Sequence, residues 1–148
     1  MEEGINKITT DEIVNLDGFD GCVNAYRELC RMDADAIHAI SGVPFYKDNP
    51  NLIPLVVMHQ GKCVGFCGLL KVFYPHLNKH VMVTESLFIQ EEYRGKYWPP
   101  LLAKIKEETK HQECAGFIFS AQIGSKFEEY LKLKFKPLNA LYWGSIHE

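Results

Sequence analysis

Two groups of residues in this chain have types and spacing suited to chemistry. The first is Glu85, within the run Val81–Ile89 (VMVTESLFI). Period-2 alternation puts Val81, Val83, Glu85, Leu87 and Ile89 on one face of a strand, with Glu85 the only charge on it. A carboxylate among apolar neighbours loses solvent, its pKa rises, and it becomes a better base near neutral pH. A structural ion pair, or a bulge that turns the side chain outward, would place the same residue without any chemistry. The second group is Arg94, Gly95 and Lys96. Two cations and a run of free N–H groups just ahead of a helix make an anion site, and phosphate is the natural guest. A solvated turn with surface charges is the competing reading.

These groups require a strand, a turn and a helix in succession. The pattern predicts a central strand over Lys79–Gln90 and a helix from Pro99 to about Gln112. In that helix Leu101, Leu102, Ile105 and Thr109 face inward, and Lys104, Lys106, Glu107, Glu108 and Lys110 face mostly outward. A strand over Gly116–Ala121 follows by a short connection, so strand, helix and strand form a parallel crossover. Upstream, Leu52–His59, the turn Gln60-Gly61-Lys62 and Cys63–Tyr74 read as a β-hairpin. Pro54 belongs near a strand start or on an edge, and Gly65 and Gly68 mark a bulge or a close approach. Cys63 and Cys67, four apart on that strand, share a face as small buried hydrophobes.

Further upstream, Ile5–Thr9 is a short strand, Thr10 or Asp11 caps a helical turn, and Cys22 to about Met32 is an amphipathic helix. A second helical segment, capped by Asp33 or Asp35, runs through Ile40 to Gly42 and Pro44, with a loop over Phe45–Asn51. At the other end, Ser125 opens a short helix with Phe127, Tyr130 and Leu131 on one face. Ala140–Ile146 forms a last strand. With no repeat and no linker, the chain reads as one α/β domain over 1–148, a mixed sheet flanked by helices. It divides into a helical region, 1–50, and a sheet-and-helix region, 51–148.

Composition bounds the function. In 148 residues, 47% hydrophobic and 24% charged content can bury a real core. The five cysteines have no C-x-x-C spacing, so reduced core thiols are expected rather than a disulfide frame or a metal site. The start, MEEGINK, has no apolar run of a signal peptide, and no stretch is long enough to span a membrane. A cytoplasmic location is expected. Residues 1–50 hold four basic and ten acidic residues, a balance of −6, which leaves +3 for the rest of a chain whose total is −3. No basic stripe suits nucleic acid. The split favours a cationic partner for the first third and an anionic one for the rest, and chance accounts equally well for a split this small.

The run Glu85-Ser86-Leu87-Phe88-Ile89, then Glu92-Tyr93-Arg94-Gly95-Lys96, then Leu101-Leu102, resembles the central motif of the GCN5-related N-acetyltransferases (GNAT superfamily). The segment Tyr130 to Pro137 and the hairpin strand GKCVGFCGLL are similar to further family segments, so the likeness covers roughly residues 50–146. It resembles most the small GNAT-like proteins of tailed bacteriophages, for which host cytoplasm or virion would be the location. The resemblance implies an N-acetyltransferase that moves an acetyl group from acetyl-CoA to an amine on a small molecule or protein. It places the pantetheine arm beside Leu87, Phe88 and Ile89, pairing like an added strand. It places the pyrophosphate on the N–H groups of Arg94, Gly95, Lys96, Tyr97 and Trp98. Glu85 matches the family's general base and Tyr130 its acid for the leaving thiolate; Tyr130 equally completes an apolar helix face.

The sequence also departs from the family. The arginine-x-x-glycine-x-glycine/alanine pattern would run from Arg94 to Pro99, yet Tyr97 and Pro99 stand where small residues belong. Pro99 and Pro100 lack N–H groups, and Lys134 replaces the glycine before Phe135. Two functions follow: an active transferase, or a catalytically degenerate GNAT-like module in a homodimer or larger assembly, such as a phage particle, using its aromatics at an interface.

Overall fold

The computed structural model describes residues 1–33, 49–121, 124–140, 142 and 146. Among these residues five strands form one sheet in the order β1 (Gly4–Lys7), β2 (Ile53–His59), β3 (Lys62–Tyr74), β4 (Lys79–Ile89) and β5 (Phe117–Ile118). The first four run antiparallel to their neighbours, and β5 joins β4 in parallel. The helices are α1 (Thr10–Ile13), α2 (Phe19–Asp33), α3 (Arg94–His111) and α4 (Lys126–Lys134), with a 3-10 turn over Glu91–Tyr93 ahead of α3. The expected mixed sheet with flanking helices is what forms.

Two apolar layers sandwich the sheet. On one face Ile13, Phe19, Cys22 and Val23 of the early helices pack on Val56, Met58, Cys63, Phe66 and Phe88. On the other, Leu101 and Ile105 of α3 pack on Leu55, Val57, Cys67, Leu69, Met82 and Ile89. The buried stripe of α3 is Tyr97, Leu101, Ile105 and Thr109, spaced four apart as one helix face requires. Glu108 is buried as well, rather than outward as expected, because Lys7 of β1 reaches it at 2.7 Å.

Local chemistry sets the boundaries. Thr9, not Thr10 or Asp11, caps α1: its hydroxyl accepts from the Glu12 N–H, and the Glu12 carboxylate accepts from the Thr9 N–H, a reciprocal capping box. Gly18, at φ +89°, turns the chain into α2, where a Cβ would lie 2.6 Å from the Cys63 carbonyl oxygen. Pro54 is the second residue of β2, as its missing donor requires, and its carbonyl accepts from the Ile8 N–H. The strand expected over Gly116–Ala121 shrinks to Phe117–Ile118. No strand includes the described residues of the expected last one, 140, 142 and 146. The helical segment expected between residues 33 and 44 lies outside the described residues beyond Asp33, as does the loop at 45–48.

Two bulges change which side chains share a face. On β3, Val57 pairs with Gly65 and Met58 with Cys63, leaving Val64 as an extra residue. Cys63 therefore faces α2 and Cys67 faces α3, instead of sharing a face. On β4, Gly68 pairs with Ser86 and Leu69 with Thr84, leaving Glu85 as the extra residue.

α3 begins at Arg94, well before the expected Pro99. Pro99 and Pro100 lie inside it, so the donors they lack are those that would have reached the carbonyls of Gly95 and Lys96.

Candidate functional site

The β4 bulge decides where Glu85 points. Counting back from Ile89 and Leu87, which pack on the α3 side, alternation puts Glu85 on that side too. Counting forward from Met82, also on that side, it puts Thr84 there. Two successive residues thus share a face at the bulge, and the expected single row from Val81 to Ile89 breaks: Val83 pairs with Leu70, which packs against the α2-side core. The bulge does not turn Glu85 out to solvent. Its Oε2 is buried and has no hydrogen-bond partner among the described residues. Burial pushes its carboxyl above the usual carboxylate range, against a smaller opposite pull from the Ser86 side chain. The buried Cys67 thiol is pushed up by its own burial and further by the Glu85 charge.

Beyond the bulge β4 has an open edge. Gln90 N–H donates to the Val64 carbonyl of β3, so by antiparallel alternation Phe88 and Ser86 also turn their backbone groups to β3. Leu87 and Ile89 turn theirs to the other side. There β5 has already ended: it pairs only with Met82 and Val83, and the Thr84 hydroxyl closes the contact on the Ile118 carbonyl at 2.9 Å. The Ile89 carbonyl is taken by Arg94 Nε at 2.7 Å, with the guanidinium 5.7 Å from the centre of the Phe88 ring. Among the described residues no strand faces this edge, where Leu87 turns an N–H and a carbonyl, and Ile89 an N–H, outward. An extended amide-bearing molecule fits such an edge.

The start of α3 adjoins that edge. Tyr93 and Arg94 N–H groups bond back within the preceding turn, to Gln90 and Glu91. The helical i→i−4 pattern takes up amides from Tyr97 onward. Gly95 and Lys96 supply the amides between, and Gly95 has no atom within 4 Å of where a Cβ would stand. Lys96 Nζ lies 5.2 Å from the centre of the Tyr97 ring.

The two aromatic residues in this turn point apart. Tyr97 is buried, with its hydroxyl 2.7 Å from His59 Nδ1 and its ring next to those of His59 and Tyr93. Trp98 reaches α4 and donates its indole N–H to the Tyr130 hydroxyl at 2.6 Å. Phe119 and Phe127 complete the aromatic group around it. Ser125 caps α4 by accepting from the Glu128 N–H and so holds Tyr130 at that height.

The structure thus joins Arg94 to Phe88 and Ile89, and Trp98 to Tyr130. Among the described residues no bond joins Glu85 to Tyr130. Sequence reasoning missed His59 and Phe119, because both act through ring contacts across long chain separations that leave no local pattern. A cavity of about 340 Å³ lies at the hairpin end, beside Gly18, Gly21, Cys63, Gln90 and Tyr93, and so borders the turn ahead of α3. No group of metal-ligating side chains occurs among the described residues, and no helix there is long and apolar enough to cross a membrane.

No family model and no curated protein matches the sequence. Solved structures do. A ribosomal-protein-alanine N-acetyltransferase from Brucella melitensis biovar Abortus 2308 superposes with a TM-score of 0.72 at 9% identity, covering 98% of this chain and 99% of that one. An aminoglycoside acetyltransferase from an uncultured soil metagenomic sample gives 0.73 at 12% identity, covering 99% of both. AAC(6')-Iy, in complex with a bisubstrate analogue of CoA and acetylneamine, gives 0.67 at 13% identity over 98% of both. With its mixed five-stranded sheet and flanking helices, the chain has the fold of the GNAT-type acetyltransferases.

Proposed function

We propose that this protein is an N-acetyltransferase that moves an acetyl group from acetyl-CoA to an amine. The observation that carries the reading is the open β4 edge at Leu87 and Ile89, set directly beside the amides of Gly95 and Lys96. A pantetheine arm carries amides suited to the edge, and a pyrophosphate suits the helix start, among Arg94 to Trp98, with Lys96 adding charge. Similar structures with CoA or a CoA conjugate bound support the choice of donor. The alanine and aminoglycoside acceptors in the neighbours' names differ, which supports the amine but not one particular molecule.

Acetyl-CoA, when bound, supplies the acetyl group as an activated thioester. Glu85, a half-buried carboxylate with raised proton affinity, takes the proton from the acceptor amine, directly or through water. Tyr130 gives its hydroxyl proton to the leaving sulfur. The phosphate loop is an altered one: Tyr97 and Pro99 stand where the family has small residues.

Titrating the protein with acetyl-CoA while following its melting temperature tests the reading. A rise that grows with concentration is expected, and no shift at millimolar acetyl-CoA would sink it. Glu85→Gln and Tyr130→Phe are then expected to lower kcat about 100-fold while changing acetyl-CoA affinity little.

A further inference from the structure

The Trp98–Tyr130 hydrogen bond fixes a direction as well as a distance. An indole nitrogen can only donate, so at 2.6 Å the phenol oxygen must be the acceptor. Tyr130's own proton is therefore excluded from the line to Trp98 and must point elsewhere. The donor is held firmly. Trp98 meets the Tyr130 ring edge-on at 5.7 Å and the Phe127 ring edge-on at 6.0 Å, and it leans on Phe119 at 5.8 Å. Phe127 and Tyr130 stack with rings 10° apart. Behind Trp98, Pro99 and Pro100 fix the backbone dihedral at two successive positions.

We propose that Trp98 is the positioning residue for Tyr130: it orients the phenol so that the hydroxyl proton is free to be given away. This rests on the acetyl-transfer reading above. In the reaction the amine nitrogen bonds to the thioester carbonyl carbon, and the carbon–sulfur bond breaks. The amine proton goes to Glu85, and the sulfur takes the Tyr130 proton. The phenolate left behind faces a donor already in place, since the indole N–H of Trp98 stabilises it without any rearrangement. Solvent then returns a proton to Tyr130 and removes one from Glu85. The bulk at position 98, turned towards α4, thus serves the other end of the reaction.

The test uses the full chain in two measurements. In ¹⁵N-labelled protein, the indole N–H resonance of Trp98, assigned through Trp98→Phe, is compared with that in Tyr130→Phe. An upfield movement is expected when its acceptor is removed. Release of free thiol from acetyl-CoA is then followed with a panel of aliphatic polyamines as acceptors. Trp98→Phe keeps a ring but loses the donor, and it is expected to lower kcat about ten-fold while KM for acetyl-CoA stays within about two-fold. The double variant Trp98→Phe/Tyr130→Phe is expected to be no slower than Tyr130→Phe alone. An unmoved indole resonance, an unchanged kcat in Trp98→Phe, or an effect confined to KM overturns the positioning role in a protein that does transfer. A wild-type protein that neither binds acetyl-CoA nor releases thiol overturns the transferase reading first and this role with it.

Discussion

Glu85 owes its chemistry to a place where the strand is irregular. One of its oxygens is buried without a partner among the described residues, and its carboxyl binds a proton more tightly than a free one does. The sign of the consequence for stability follows. Below the ordinary value of 4.5 the group is neutral in both folded and unfolded chains. As pH rises through the folded value, the folded state must carry a partly desolvated charge, and stability falls. Glu85→Gln is therefore expected to match wild type in urea unfolding near pH 4 and to exceed it by about 1 kcal/mol at pH 8. The sequence showed that a lone carboxylate stood among apolar residues. It could not show the face, because alternation counted from Val81 and from Ile89 agrees only if no residue is inserted. Tyr130 was legible as a helix-face residue, whereas its bond to Trp98 spans 32 residues and two elements.

At the scale of elements, β1 and α3 are tied by one ion pair. Lys7 on the edge strand donates to Glu108 at 2.7 Å, and Gln112 adds a second bond. Burial alone would raise the Glu108 pKa, but these partners hold it below the usual range. Its stabilising share is present above pH 4.5 and is lost as the medium turns more acid. Lys7→Met leaves a buried carboxylate unpaired and is expected to cost about 2 kcal/mol at pH 7, between the values of exposed and fully buried pairs. Less of that difference should remain at pH 4, which unfolding at the two pH values measures. Outward placement of Glu108 was the natural reading of a charged helix residue, since nothing near it in sequence announces Lys7. The hairpin, β4 and α4 were legible from alternation and capping residues. The start of α3 was not, because proline usually marks a first turn and here occupies the second.

Across the whole molecule, the order of elements was readable because the long strands stand out as apolar or alternating runs between turn residues. The acidic first third, at −6, remains a feature without an assigned partner. If it borders the acceptor, KM for a polyamine is expected to rise several-fold between about 50 and 300 mM salt while KM for acetyl-CoA changes less, as screening of exposed charges predicts. Steady-state kinetics at the two ionic strengths checks this. The extra residue in β4 has a further consequence for recognising relatives. It acts on side-chain placement as a frameshift acts on a reading frame: Lys79–Thr84 and Glu85–Ile89 are each regular, but they are out of phase with one another. Any comparison that slides one hydrophobic template along the whole strand will place one half correctly and the other inside out. Aligned as two separate words, with the break at Thr84–Glu85, both halves of the strand come into register.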